Sequence, residues 1–524
     1  MKFFKNTFPN LWGHLFLLLL LHVSIYSQTK KPNIIFIMSD DHDEKAISAY
    51  SQKLISTPNI DRIADEGMIF KNSYVTNSLC APSRAAMLTG KYSSLNGLRD
   101  NRDIFNGAQQ TFPKLLRKAG YQTSIIGKWH LKTEPTGFDS YRILLGQGEY
   151  YNPKFWENGD TNQYVGYVTD LITDFAIREL KKRDKSKPFA MLIHHKATHR
   201  NWMPNPKYFG VFDSVDIPLP KNFYDNYATR IPASEADMKI KDMYLSQDMK
   251  LLKDYYKKET GSGGQLEYAK YVEKNWYNTL NLQMTGEQRT AWNKYYDKIN
   301  KEYKKDNLKG KQLTEWMYRR FMQDYLSCVL SIDESVGRIL KYLDDNNLTE
   351  NTIVVYTSDQ GFFLGEHGWY DKRWMYEESF HTPLLIRYPK KIKPKSVSND
   401  FVMNIDYAPT FLDYAGVNIP SDIQGESFRN ILENRPHPNW RKSMFYHYYE
   451  YPHGWHLVRQ HYGVKTERYK LIYFYGIDYW ELFDLQNDPD EMKNIYNEMK
   501  DTKLVKDLKE ELAYLRKKYK DKDD

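Results

Sequence analysis

Three short apolar runs without alternating polar positions mark the chain. They cover residues 34–38, 189–193 and 352–356. Continuous runs of this kind are typical of strands covered on both faces, as in a parallel sheet between helices. Apolar residues at helical spacing over 111–119 and 331–345 predict helices between these strands. The pattern therefore predicts an α/β fold built on one large sheet.

Polar side chains follow each of the three predicted strands. They are Asp40 and Asp41 after the first, a histidine-rich segment from His194 to His199 after the second, and Asp359 and Gln360 after the third. The carboxyl ends of parallel strands form the usual ligand-binding edge of an open α/β sheet. We therefore expect an active site at that edge.

The amino-acid composition changes at two further points along the chain. Residues 240–320 are rich in Lys, Tyr and Asp, with a Gly-Ser-Gly-Gly break at 261–264, which indicates a helical insertion on the surface. Beyond Pro436, short strand patterns and a charged amphipathic stretch predict a small α+β domain. We predict a catalytic domain over 28–436 and a C-terminal α+β subdomain over 437–524.

The first 27 residues have the pattern of a secretory signal peptide. Lys2 and Lys5 precede an apolar run at 15–21, and small residues, Ser24 and Ser27, follow it. An uncleaved membrane anchor is the alternative, but the run is short for a membrane span. No second long apolar run follows, so the expectation is a periplasmic or secreted protein with no membrane segment after cleavage.

The net charge and the cysteine content further limit the classes of protein to which this chain can belong. The net charge is +8, and removing residues 1–27 with their two lysines leaves +6. A mild positive excess suits a polyanionic substrate, and no nucleic-acid-binding motif is present. An exported chain of 524 residues with only two cysteines, Cys80 and Cys328, indicates a bacterial source. The apolar neighbours of Cys328 predict a buried core thiol.

The most specific motif is Cys80-Ala-Pro-Ser-Arg84, followed by Leu88-Thr89-Gly90. It resembles the signature of the type I sulfatase family, in which a maturation enzyme oxidises the cysteine to formylglycine (3-oxoalanine). The resemblance implies an alkaline-phosphatase-like fold, with a large mixed sheet between helices. It also implies that the hydrated aldehyde attacks sulfate esters and that a formylglycine-generating or sulfatase-maturing enzyme is a partner.

The resemblance also implies a metal site. Asp40, Asp41, Asp359 and Gln360 stand where the family holds its cation, with modified Cys80 as a further ligand. Hard oxygen ligands suit Ca²⁺ better than zinc. Gln360 replaces the more common Asn, which leaves its ligand role open.

Further catalytic residues follow from matching segments. Gly127-Lys128-Trp129-His130 resembles a family tetrapeptide in which Lys128 would hold sulfate and His130 would bond the formylglycine hydroxyl. Arg84 would stabilise the hydrated aldehyde, and Lys372 would be a second sulfate clamp. His199 is the expected general acid, although the prolines that usually flank this histidine are absent and His194 and His195 are competitors.

Five residues are candidate substrate contacts because they combine charge or aromatic faces with proximity to these motifs. They are His367, Arg200, Trp202, Arg373 and Trp374. For each, an ordinary surface or core position is the alternative.

The sequence thus predicts a sulfatase acting on a sulfated polysaccharide or its oligosaccharides, with an algal glycan such as ulvan as the first expectation. A glycosaminoglycan sulfatase, for example an N-acetylglucosamine-6-sulfatase, is the alternative. Three other classes stay open: a phosphatase or phosphonate hydrolase of the same superfamily, a Cys–His hydrolase using Cys80 as a thiolate, and a non-catalytic sugar-binding protein.

Overall fold

The computed structural model describes Met1, residues 31–261, residues 271, 273, 274, 276 and 280, and residues 282–522. Apart from Met1, the predicted signal peptide at 1–27 lies outside the described residues. Pro32–Asp524 form one compact unit. In the described part of the chain, no helix has the length and apolar character needed to cross a membrane.

The described elements are numbered in chain order. The strands are β1 (Asn33–Ser39), β2 (Met68–Phe70), β3 (Ser73–Tyr74), β4 (Gln122–Lys128), β5 (Ser140–Leu144), β6 (Lys154–Glu157), β7 (Asp160–Gln163), β8 (Phe189–His194), β9 (Thr352–Ser358), β10 (Phe363–Leu364), β11 (Tyr370–Asp371), β12 (Leu384–Arg387), β13 (Ser396–Ser398), β14 (Val402–Met403), β15 (Ser443–Tyr448), β16 (His461–Thr466), β17 (Tyr469–Phe474) and β18 (Tyr479–Asp484). The helices are α1 (Pro58–Asp65), α2 (Cys80–Thr89), α3 (Ser93–Asn96), α4 (Phe112–Lys118), α5 (Val168–Lys182), α6 (Ile231–Glu235), α7 (Gly286–Asp306), α8 (Gly310–Asp345), α9 (Glu377–Phe380), α10 (Tyr407–Tyr414), α11 (Arg429–Leu432), α12 (Tyr496–Met499) and α13 (Lys503–Lys518).

A mixed sheet of ten strands organises the fold, in the order β13-β2-β12-β9-β1-β8-β4-β5-β6-β7. The central strands β9, β1, β8, β4 and β5 run parallel. The strands at either side, β12 against β9 and β6 against β5, pair antiparallel. The three apolar runs are the buried strands β1, β8 and β9, so the predicted α/β fold with a large mixed sheet is confirmed.

Both faces of this sheet are covered, which explains why β1 has no polar alternation. Ile35 and Ile37 belong to one hydrophobic cluster, which includes residues of α5 and α8. Ile34, Phe36 and Met38 belong to a second cluster on the other face, which includes residues of α4 and α10. Successive side chains of a strand point to opposite faces, so a strand between two cores must be apolar throughout.

The segment predicted as a helical insertion contains α7 and the first part of α8. α8 continues for 36 residues, which corresponds to about 54 Å of helix. Its second half packs against α5 and α1. Cys328 lies in this half and is fully buried, as its neighbours predicted. A single helix, α8, therefore connects the insertion to the main hydrophobic core.

A second, antiparallel sheet of four strands in the order β15-β16-β17-β18 closes the chain, together with α13. An ion network ties it to the catalytic part. Glu377 of α9 forms ion pairs with Lys465 at 3.0 Å and with Lys470 at 2.7 Å, and Lys470 also pairs with Glu491 at 2.7 Å. Lys470 and Glu491 are fully buried. The predicted smaller C-terminal α+β region is present, while the boundary at 436 stays a prediction.

Candidate active site

Parallel strands β9, β1 and β4 deliver polar residues to one edge of the large sheet. Asp40 and Asp41 follow β1, and Asp359 and Gln360 follow β9. Lys128 is the last residue of β4, which lies two strands from β1. Because these strands run parallel, their carboxyl ends meet, and the polar side chains converge there.

Helix α2 brings Cys80 to the same place. The helix begins at Cys80, and all ten of its residues are buried. The Cys80 Sγ lies 3.6 Å from Asp40 Oδ1 and 3.9 Å from Gln360 Nε2. A helix N-terminus carries free N–H groups and a partial positive charge, so a group at this position is well placed to carry or bind an anion.

The arrangement fits a hard cation. One ligand atom each of Asp40, Cys80 and Asp359 lie within 4.8 Å of one another. Burial, together with the neighbouring carboxylates, raises the pKa of Asp41 to about 7, and burial with Asp40 raises that of Asp359 to about 6. Within the described chain, the buried Oε1 of Gln360 has no hydrogen-bond partner. Several mutually repelling carboxylates beside an unsatisfied amide oxygen form the kind of oxygen-rich donor set that Ca²⁺ takes.

Three cations face these carboxylates. Lys128 Nζ donates to Asp40, and Lys372 Nζ donates to both Asp41 oxygens at 2.7 Å. Arg84 donates to Asp359 Oδ2 through Nε at 3.0 Å and a terminal nitrogen at 2.8 Å. Burial alone would raise the pKa of Asp40, but Lys128 and the other cations hold it well below its usual range. The site therefore concentrates charge of both signs where water is excluded.

The two predicted histidines occupy different positions. His199 lines the cavity, with Nδ1 2.7 Å from the Arg200 carbonyl and Nε2 4.0 Å from Asp41 Oδ2. A carbonyl accepts only, so Nδ1 carries the proton and Nε2 is left to accept one. His130 follows β4, and its buried Nδ1 has no hydrogen-bond partner within the described residues. Burial, followed by the charge of Lys128, holds the pKa of both histidines well below the usual range.

The competitors His194 and His195 are placed elsewhere. The His194 ring lies against the Lys128 carbonyl at 3.2 Å, and the His195 Nε2 lies 3.1 Å from Ser335 Oγ. Both are buried and neither lines the cavity. His199 is therefore the histidine of this segment with access to a substrate.

A cavity of about 230 Å³ opens onto Cys80. Its lining consists of Asp41, Cys80, Asn101, Gln147, His199, Arg200, Asn201, Gln247, Asp371, Lys372, Arg373, Trp455 and His456. Polar and charged side chains dominate this wall, which is the lining expected for a hydrophilic, anionic ligand.

Two arginines of the cavity are held rigidly by buried acids. Arg200 makes a bidentate pair with Asp248, at 2.8 and 2.5 Å, between the rings of Tyr244 and Tyr370. Arg373 donates to Asp371 Oδ1 at 2.6 Å, and the other oxygen of Asp371 lies 2.7 Å from His456 Nε2. Paired and stacked side chains lose little freedom when they bind a ligand.

Asp371, His456 and Trp455 were not predicted from the sequence as site residues. Asp371 directly precedes the predicted residue Lys372, so its position was a usable signal. His456 and Trp455 come from a turn in the C-terminal region, and no local pattern marks them. Burial acts to raise the pKa of Asp371. The positive charges of Arg373, Lys372 and His456 outweigh burial and hold this pKa well below its usual range.

Three predicted sugar contacts are corrected by the structure. Trp202 packs against Phe321 and Trp374 stacks on Trp369, and both indoles are fully buried. His367 is also fully buried, with Nδ1 2.7 Å from Asp225 Oδ2. None of the three lines the cavity. A ring enclosed by protein on all sides offers no face to a sugar, so these residues stabilise the fold instead.

The thiol itself argues against a Cys–His hydrolase. Burial raises the pKa of Cys80 to about 12, in spite of the nearby lysines. The thiolate is the nucleophilic form of cysteine, so an unmodified Cys80 would be almost entirely protonated at neutral pH.

Comparison with known proteins decides the family. The family model described as Sulfatase matches residues 32–417. The chain belongs to the sulfatase family. A second model, N-sulphoglucosamine sulphohydrolase, C-terminal, matches residues 365–518. As a member of this family, the protein is a sulfuric ester hydrolase.

Individual relatives refine the comparison. The sulfatase is 51% identical over 504 residues to an N-acetylglucosamine-6-O-sulfatase from Bacteroides thetaiotaomicron, covering 95% of this chain and 88% of the relative. It also resembles a solved structure described as in complex with its substrate D-glucosamine-2-N,6-O-disulfate. That match has a TM-score of 0.88 and 50% identity, and covers 94% of this chain and 99% of the other. An ulvan-active sulfatase from Formosa agariphila is 24% identical, covering 92% of this chain and 81% of the relative.

Proposed function

We propose that this sulfatase removes the 6-O-sulfate of glucosamine units, N-acetylated or N-sulfated, in glycosaminoglycan sugars. The observation that carries the proposal is the 51% identity, over 95% of the chain, to an N-acetylglucosamine-6-O-sulfatase. The ulvan-active relative is only 24% identical, so the glycosaminoglycan alternative replaces the algal expectation. Three cations in the lining of the cavity above Cys80 (Arg200, Lys372 and Arg373) support an anionic sugar as its ligand.

Two groups complete the site in this proposal. Formylglycine at position 80 supplies a hydrated aldehyde as nucleophile, and Ca²⁺ supplies positive charge beside it. Asp40, Asp41, Asp359 and Gln360 would hold the cation, since their oxygen atoms meet at one sheet edge. Gln360 would turn its unpartnered Oε1 toward the ion, because amide orientations can be exchanged.

The described cations bind and orient the sulfate. Lys372 lines the cavity and is 3% exposed, so its ammonium acts in a water-poor setting where charge is poorly screened. Lys128 lies deeper, beside Asp40. Arg84 braces the wall of the site, because it joins Asp359 to the Lys128 carbonyl, with 2.7 Å to the latter. Together they neutralise charge where it develops during sulfur–oxygen cleavage.

His199 is the proposed proton donor to the leaving alcohol. Its Nδ1–H is engaged by the Arg200 carbonyl, which orients the ring and leaves Nε2 toward the cavity. Burial and the charge of Lys128 lower the pKa of His199. Bound anionic sulfate and Asp41, 4.0 Å away, would oppose this effect and stabilise the cation formed when Nε2 takes up a proton. From there the proton can pass to the departing oxygen. His130 is not among the residues that line the cavity, so we propose it only as a contact of the modified residue 80.

The sugar ring would be oriented by the two braced arginines. Arg200 and the Asp371–Arg373–His456 group line the cavity from three chain segments. Asp371 offers acceptors and the two cationic groups offer donors, the combination that sugar hydroxyls require. Because these groups are already paired, the cavity is organised before substrate binds.

Cellular placement follows from the same proposal. We propose export by the signal sequence at 1–27 to the periplasm or the medium, and maturation of Cys80 by a formylglycine-generating or sulfatase-maturing enzyme. The catalytic and C-terminal regions would meet near residue 436.

The test is sulfate release by the matured protein from N-acetylglucosamine 6-sulfate, from ulvan oligosaccharides and from a phosphate ester. We expect release from the first, none with Cys80→Ala, and normal release with the matched variant Cys328→Ala, whose cysteine lies outside the site. Release from ulvan alone would replace the glucosamine proposal. Hydrolysis of the phosphate ester alone would favour a phosphatase. Slow turnover that iodoacetamide abolishes would restore the thiolate mechanism.

A further inference from the structure

The cavity above Cys80 is small for a carbohydrate polymer. Its volume is about 230 Å³, which lies below the range of about 300–1,000 Å³ typical of pockets that enclose drug-sized ligands. This volume is on the scale of one sulfated sugar unit and not of several. If the substrate is a glycan chain, the next sugar must lie outside, on the rim.

The rim carries an exposed indole. Trp455 lines the cavity and is 38% exposed, and the neighbouring Leu457 is 40% exposed. In the described part of the chain, Trp455 is the only tryptophan that combines these two properties. Tryptophan combines a large apolar face with a polar N–H, which suits a position with one apolar and one wet side, such as the edge of this cavity.

The turn that presents Trp455 is anchored on both sides. His456, the next residue, places Nδ1 2.5 Å from the Asp237 carbonyl and accepts the Asp237 N–H through its own carbonyl at 2.8 Å. Earlier in the same loop, His453 Nε2 lies 2.8 Å from Asp100 Oδ2. Trp455 is therefore held in place by its neighbours, and an indole fixed before binding loses little entropy when a ligand stacks on it.

We propose that Trp455 forms a second sugar-binding subsite, which stacks on the residue linked to the sulfated sugar in a longer glycan. The flat indole offers a large apolar face with little conformational freedom, and it suits the C–H face of a pyranose. This inference rests on the proposed function, because it assumes that a sulfated sugar occupies the cavity. It adds a preference for oligosaccharides over the free monosaccharide.

The experiment compares two substrates with one enzyme. Sulfate release is measured from N-acetylglucosamine 6-sulfate and from a disaccharide that carries the same sulfated sugar at its non-reducing end. For Trp455→Ala we expect kcat/KM on the disaccharide to fall about tenfold, which corresponds to ~1.4 kcal/mol, and mainly through KM. The monosaccharide value should change by less than about twofold. Trp455→Phe should retain most of the disaccharide activity.

Tyr514→Ala is the matched control, because Tyr514 is 58% exposed and lies on α13, outside the cavity lining. Equal losses on both substrates would overturn the inference, since Trp455 would then serve the sulfated sugar itself. Unchanged activity on both would overturn it as well. If the wild-type enzyme releases sulfate from neither substrate, the proposed function fails, and the subsite falls with it.

Discussion

Arg84 offers a direct test of how the buried charges of the site support one another. It is 1% exposed and joins three elements by donating to Asp359 after β9, to the Lys128 carbonyl of β4 and, at 3.4 Å, to the His194 ring of β8. Arg84→Met keeps much of the side-chain volume and removes every donor. Asp359, itself 1% exposed, would then lose its bidentate partner.

The expected loss in the free energy of unfolding follows from these contacts. Removing one partner of a buried ion pair costs about 3–5 kcal/mol, and the lost hydrogen bond to the Lys128 carbonyl adds about 1 kcal/mol. For about 490 folded residues, an unfolding entropy of about 2.1 cal/mol/K per residue amounts to ~1 kcal/mol/K. The melting midpoint should therefore fall by about 4–6 °C.

The assay is thermal unfolding at pH 7.5 with a chelator present, so that no added cation compensates Asp359. The control is Arg62→Met, which breaks exposed pairs with Glu66 and Asp344 and should cost less than about 1 kcal/mol. A midpoint for Arg84→Met within about 1 °C of the wild type would refute the reasoning. It would mean that Asp359 is neutral or solvated in the folded protein.

Three further outcomes are expected. Burial raises the pKa of Glu481 to about 8, so the native state binds this proton more tightly than the unfolded state does. The proton therefore contributes to stability at low pH, and this contribution is lost as the pH rises toward 8. Glu481→Gln should therefore melt above the wild type at pH 9 and not at pH 5, and parallel pH profiles would contradict this. His367→Ala, which removes one of two buried partners of Asp225 and leaves the Arg230 pair in place, should cost about 1–3 kcal/mol without raising KM; a raised KM at full stability would show a substrate contact. Calcium added to metal-free protein at 100 times its Kd should raise the free energy of unfolding by about 2.7 kcal/mol. An equal gain in Asp40→Asn at the same calcium concentration would exclude Asp40 as a ligand.

Much of the fold could be predicted from the sequence because its physical cause is local. A strand between two apolar layers, such as β1, needs apolar residues on both faces, and this leaves a continuous run. The polar residues directly after such strands had to meet, since parallel strands end at the same edge. Cys80 was identified by its motif, and α2 begins at that residue.

The sugar contacts could not be predicted in the same way. Trp202 and Trp455 are both tryptophans near basic or histidine residues, yet one is fully buried and the other is 38% exposed. The difference arises from tertiary packing against α8 and from the path of the C-terminal turn, which no local pattern records. His456 likewise reaches Asp371 across 85 positions of sequence.

The burial of Cys80 has a consequence for the order of events during synthesis. In the folded protein its side chain is 1% exposed, at the start of a helix whose ten residues are all buried. The wall above it is completed by His456, which the ribosome adds 376 residues later. At about 5–20 residues per second this interval lasts roughly 20–75 s. An enzyme that oxidises Cys80, as proposed, would therefore have to reach the chain before it folds, and this interval of synthesis is a period in which the thiol is accessible.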